Sequence, residues 1–166
     1  FLRYTIWKKF SHGLGPVNGD FGKISLSLLE LNLIFKAMSS DKYVLQEVVD
    51  ARTEREFLDL PRKIYKGNRN WVCPLDPSIQ AVFDPKKNEM FSDGEAIRWI
   101  ARDKKGEVVG RIAAFYDREH AFLEEQPTGG CGFFEAINDQ ELADQLFDAA
   151  RMWLSSRGME AMDGPI

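Results

Sequence analysis

Few side chains in this sequence are suited by type and spacing to do chemistry. Glu135 sits near the end of an apolar run from Gly129 to Ile137 (GGCGFFEAI), where a carboxylate could accept a proton; the simpler reading of a single strand carboxylate is a solvent-facing or paired one. His120, in the run Asp117-Arg118-Glu119-His120, titrates near neutral pH and could move protons, or it could be a solvated loop histidine. Arg111 could contact an acidic group of a substrate or form a strand ion pair. Cys73 and Cys131 are too far apart in sequence for a metal-binding spacing and give no disulfide framework. With no histidine beside it, Cys131 reads as a small buried hydrophobe rather than a nucleophile. Trp71 and Trp99 read as core or core-edge aromatics, with substrate stacking as the alternative, and Lys86-Lys87 as a solvated turn.

A strand, a turn, a helix and a second strand must position Glu135. Cys131 to Ile137 is bounded by glycines and by Asn138-Asp139, and its aromatic and apolar content predicts a buried strand. Asn138 is placed to cap the next helix, with Glu141 completing a capping box. Leu142, Leu146, Ala149, Ala150, Trp153 and Leu154 recur on one face of that helix, Arg151 and Arg157 oppose its dipole, and Gly158 closes it. A short apolar run follows, so the unit is a parallel strand-helix-strand crossover, with ligands expected at the strand's carboxyl end, Ile137 to Gln140.

Upstream, Tyr43 to Ala51 reads as a strand. Thr53 with Glu56 opens a helix carrying Phe57, Leu60, Ile64 and Tyr65, with a kink or break expected at Pro61 and an end at Gly67. Asp76-Pro77 opens a short helix through Val82. Glu95 to Asp103 and Glu107 to Tyr116 form a hairpin that turns at Lys104-Lys105-Gly106, with Gly110 as a bulge position. Asp117 to Gly130 is a polar connection.

The chain has 166 residues, 44% hydrophobic and 29% charged, which fits one soluble globular domain. A net charge of -4 argues against nonspecific nucleic-acid binding. Two distant cysteines suit a reducing, cytoplasmic setting. Residues 1–37 carry five Lys or Arg against two acids, a net +3 in contrast to the acidic remainder. They read as a poorly integrated extension or non-native leader, because Met38-Ser39-Ser40-Asp41-Lys42 has the look of a natural start; a genuine strand or amphipathic extension is the rival. Lys23 to Phe35 is too short and too polar for a membrane span.

The order of elements, and the runs Ile64 to Val72 (IYKGNRNWV), Asp84 to Asn88 (DPKKN), Val109 to Ala114 (VGRIAA), Gly132 to Glu135 (GFFE), Gly158-Met159 and Gly164-Pro165, resemble a bacterial group within the GNAT superfamily of acetyl-CoA-dependent N-acyltransferases. The resemblance covers roughly residues 43 to 166. It implies an α/β fold (an α+β mixed sheet) with a central sheet flanked by helices. It also implies transfer of an acyl group from acetyl-CoA to an amine, with a catalytically degenerate ligand- or partner-binding module as the alternative. On this pattern Glu135 is the base, the backbone around Phe133 and Phe134 faces the thioester and pantetheine, and Asn138 and Gln140 occupy the cofactor end of the strand. The acceptor would be a small-molecule or peptide amine; no nucleic-acid or membrane partner and no metal is expected, and oligomerisation is left open. Two departures stand out. The superfamily's glycine-rich pyrophosphate loop corresponds here to Ile137-Asn138-Asp139-Gln140-Glu141-Leu142-Ala143, with no glycine and two acids that would compete for the helix amides. The sequence also stops at Ile166, partway through the fifth strand of the pattern, so an amino-terminal fragment with an incomplete cofactor cleft is expected.

Overall fold

A computed structural model describes residues 42–123 and 125–166. The readings made for residues 1–37 lie outside the described residues. The elements in chain order are β1 (Val44–Glu47), α1 (Ala51–Ile64), α2 (Asp76–Val82), a 3-10 turn (Glu89–Ser92), β2 (Gly94–Arg102), β3 (Val108–Asp117), the one-turn α3 (Arg118–Ala121), β4 (Thr128–Ala136), α4 (Gln140–Ser155) and β5 (Ala161–Asp163). The five strands form one mixed sheet in the order β1-β2-β3-β4-β5, antiparallel except for the parallel pair β4 and β5. The mixed α/β architecture expected from the sequence is therefore present.

Strand alternation divides the core in two. Trp99, Ala101, Ile112 and Ala114 point to one face and pack with Leu142, Leu146, Ala150, Trp153 and Leu154 of α4. Ile100 and Val108 point to the other and meet Phe57 and Leu60 of α1. Fully burying a side chain of this size stabilises the fold by about 1.5–3 kcal/mol, so these two apolar stripes, more than their caps, hold the helices in place.

Several local readings are corrected. Helix α1 begins at Ala51, inside the predicted strand, because Asp50 caps it: the Asp50 carboxylate accepts from the Thr53 amide at 2.7 Å, and Thr53 supplies the reciprocal side chain. Thr53 is thus the third helical residue rather than the cap. Pro61 does not divide the helix, which runs continuously to Ile64. At the start of α4 the cap is Asp139, whose carboxylate accepts from Leu142 N at 3.2 Å, and not Asn138. Glycines 129 and 130, read as a boundary, lie inside β4. A Cβ on Gly130 would stand 2.6 Å from the Phe115 ring, so these glycines make room for large neighbours rather than ending the strand. The hairpin and α2 follow the sequence reading closely, and the β2–β3 register shifts beside Gly110, where Ala101 pairs with Gly110 and Arg102 with Val108.

Candidate functional site

The site is built around an irregularity in β4. Gly132 pairs with Ala113 and Glu135 with Arg111, three residues apart on β4 but two on β3, so Phe133 and Phe134 together face Ile112. This is a β-bulge, which places an extra residue outside the ladder. Phe133 accommodates it at φ +53°, in the left-handed region that non-glycine residues seldom enter. The two rings leave on opposite sides. Phe133 packs between Phe57 and Phe83, at 6.2 and 5.0 Å, and Phe134 stacks on Phe147 of α4 at 4.5 Å.

Beside the bulge, on the α1 face, opens a cleft of about 380 Å³. Its apolar wall comes from Val82 and Phe83 at the end of α2, Met90 and Phe91 of the 3-10 turn, Phe115 of β3 and Phe133. Asn88 and Asp117 are polar residues at its edge, whereas Glu95 and Tyr116 border it with side chains that strand alternation turns to the α4 face, where the Tyr116 ring lies 5.9 Å from Trp153. The Tyr116 hydroxyl donates to Glu95 Oε1 at 2.7 Å, and Arg157 Nε donates to Oε2 at 2.9 Å. Burial pushes the Glu95 carboxyl up, but Tyr116 and Arg157 outweigh it and hold it below its ordinary value. Burial, with Glu95 alongside, pushes the Tyr116 phenol up, so it stays protonated. Asp117 is held low mainly by its contact with His120, 2.7 Å away, and the same contact raises His120. Such a cleft can bind an apolar chain, with Asn88 and Asp117 at its edge for an amine or hydroxyl.

Behind the wall, Arg98 lies 4.4 Å from the Phe83 ring centre and 3.6 Å from the Glu54 carboxylate, and burial lowers its pKa. Arg111 is 3% exposed; its Nε donates to Glu135 Oε2 at 2.5 Å and its Nη1 to the Phe57 carbonyl at 2.7 Å. The paired-carboxylate alternative for Glu135 and the ion-pair alternative for Arg111 thus describe one interaction.

The residues singled out in the sequence occupy three surroundings. Phe133 lines the cleft. Glu135 lies on the same face, engaged by Arg111, while Phe134 belongs to the α4 side. Asn138 and Gln140 are exposed at the start of α4 and do not line the cleft; Gln140 Nε2 donates to Asp144 at 2.9 Å. Cys131 is buried, with its thiol pushed up to about 11 by burial. Trp99 is core, and Trp71 stacks on Tyr65 at 5.2 Å. Sequence reasoning did not single out Phe83, Phe91, Glu95, Tyr116 or Arg98. The shared-face spacing of Ala96, Arg98 and Ile100 on β2 was the available signal, and it names a face rather than a cavity.

The start of α4 does not fit a diphosphate. The Asp139 carboxylate already takes the Leu142 amide, Glu141 follows in the first turn, and Lys42 forms ion pairs with both. Bare amides at a helix start attract phosphate, whereas here a carboxylate occupies them. Among the described residues no cluster suited to a metal ion is found, and no helix is long and apolar enough to cross a membrane.

A mixed sheet with a bulged fourth strand, a parallel β4–β5 pair and α4 between them is the GNAT fold, and crystal structures of GNAT acetyltransferases superpose on the chain. One, a predicted acetyltransferase from Clostridium acetobutylicum with acetyl-CoA, gives a TM-score of 0.52 at 12% identity over 72% of this chain and 78% of its own. In sequence the chain is similar to Protein YghO of Escherichia coli (strain K12), 31% identical over 115 residues, covering 67% of this chain and 28% of that protein. It is also similar to the bacterial ceramide synthase of Caulobacter vibrioides, 32% identical over 136 residues, covering 79% of this chain and 34% of that enzyme. The chain therefore spans about a third of the length of these curated relatives. No protein-family model matches it.

Proposed function

We propose that this chain is part of an N-acyltransferase that joins an acyl group from a thioester to the amine of a long-chain acceptor. The observation that carries this reading is the apolar cleft bordered by the bulge at Phe133. The GNAT fold supports acyl transfer as the reaction class. The similarity to a ceramide synthase supports a long-chain amino alcohol as the acceptor, because a ceramide is such a compound acylated on nitrogen. Acetyl-CoA accompanies one of the GNAT-fold neighbours, but the start of α4 contributes no grip on a diphosphate here. Recognition of the donor accordingly falls to its acyl end, for which aromatic walls offer dispersion contact and water exclusion.

In this reading Glu135, which lies on the cleft's face of the sheet but not among the residues that line the cleft, takes a proton from the attacking amine, with Arg111 fixing its orientation. Asp117 at the cleft edge attracts the acceptor's polar end. The test is to incubate the full-length protein with a sphingoid base and either a long-chain acyl thioester or acetyl-CoA, and to detect amide product by mass spectrometry. Amide formation with the long-chain donor is expected to exceed that with acetyl-CoA. No amide from either donor would overturn the proposal.

A further inference from the structure

We propose that the surface around the cleft mouth, formed by the α1–α2 connection, α2 and the 3-10 turn, docks on an anionic lipid bilayer. The proposal rests on the long-chain reading of the substrate, and it reverses the expectation from sequence that no membrane partner is involved. That expectation considered a span, and docking needs none.

Val72, Leu75, Val82 and Met90 are large apolar side chains 84, 72, 43 and 50% exposed. Leu75 is the extended residue that precedes α2 and Val82 is the last residue of the helix, so exposed apolar side chains stand at both ends of α2, about 10 Å apart along its axis. Val82 and Met90 are also cleft-lining residues. Through Val82 and Met90 the exposed apolar surface reaches the cavity, and an apolar chain leaving a bilayer at this face would enter the cleft there.

Charge selects the occupant. Residues 62–90 hold six basic side chains (Arg62, Lys63, Lys66, Arg69, Lys86, Lys87) against three acids (Asp76, Asp84, Glu89), a net +3 in a chain of net -4. Arg62 is spent on Asp59 and Asp76, and Lys87 lies 3.7 Å from Asp84. Lys66, Arg69 and Lys86 are exposed. Exposed apolar side chains flanked by cations are what an interface of acyl chains under anionic headgroups accommodates; a neutral protein groove would match the apolar side chains but not the cations.

The experiment is cosedimentation of the full-length protein with phosphatidylcholine vesicles with and without phosphatidylglycerol, at increasing salt. Binding is expected only with phosphatidylglycerol and is expected to weaken as salt rises. The combined substitution Val72→Glu with Leu75→Glu should cut the bound fraction roughly tenfold or more, and Lys66→Ser with Arg69→Ser and Lys86→Ser should remove the salt dependence. Unchanged sedimentation of the Val72/Leu75 variant, or no sedimentation of the wild type, would overturn the proposal. So would a dimer in size-exclusion chromatography that this variant dissociates in the absence of vesicle binding, since the face would then pair two copies. Amide formation from detergent-dispersed substrate separates the two proposals. It should persist in the folded Val72/Leu75 variant, and its absence in a wild type that does bind vesicles would sink the enzymatic reading while leaving the docking surface intact.

Discussion

The buried guanidinium of Arg111 donates to the carbonyl of Phe57 at 2.7 Å, across 54 residues of sequence. In a regular helix that carbonyl would accept from the amide of residue 61, but residue 61 is proline and has no N–H. Arg111 thus completes α1 from the sheet, and this supplies a physical reason for the helix to continue through Pro61. The same side chain holds Glu135 and lies 4.6 Å from the Phe57 ring centre.

Removing Arg111 leaves two acceptors, one of them a carboxylate, without their buried donor. Arg111→Met is expected to cost about 3–5 kcal/mol, as for other broken buried pairs, measured by urea unfolding. In a Pro61→Ala background, where residue 61 regains an amide for Phe57, the loss should be smaller by roughly 1 kcal/mol. Equal losses in the two backgrounds would show that Arg111 does not serve the helix.

Glu135 combines a structural pairing with the proposed base role, and kinetics can separate the two. Glu135→Gln keeps the shape and removes the charge. If the carboxylate takes the proton, kcat falls roughly 10²-fold with KM nearly unchanged. A fall in Tm accompanied by wild-type kcat would confine Glu135 to the ion pair.

The two thiols should differ sharply toward alkylating and disulfide reagents. Cys73 is exposed, and Cys131 is buried with a pKa of about 11. Only thiolate reacts, so the native protein is expected to titrate as one thiol at pH 8 and as two after denaturation, with Cys73→Ser removing the native signal.

Acid and mild alkali should each remove stability by a different route. Asp50 is held below its ordinary value of 3.8 mainly by the Thr53 amide, and Asp139 mainly by Lys42. A lowered folded pKa gives a contribution that is full above the unfolded value and lost as pH falls through the folded one. Below pH 3.8, Tm should therefore drop, and less steeply in Asp139→Asn. His120 runs the other way. Asp117 raises it above 6.5, so its contribution is full below that pH and fades as pH rises through the raised value. An NMR titration of His120 should show the raised midpoint, which should return toward 6.5 in Asp117→Asn.

Much of the element order was legible because its signals are local. The apolar stripe of α4, the Asp76-Pro77 start of α2 and the hairpin turn at Lys104-Lys105-Gly106 each depend on residues within a few positions of one another. Caps were less legible, since Asp50 and Thr53, or Asn138 and Asp139, are chemically similar neighbours, and one step of backbone geometry decides which carboxylate or amide reaches the helix amides.

By itself, the sequence determined the mixed α/β element order, the helix faces and Glu135 as the carboxylate worth asking about. It also showed that acids occupy the start of α4. Only the tertiary structure decided the bulge at Phe133 and Phe134, the Arg111 bridge between Glu135 and Phe57, and the cleft closed by Phe83, Phe91 and Phe115. The reason is separation along the chain. Register and cavity shape arise from pairings between distant strands, and no local periodicity records which residues those pairings will bring face to face.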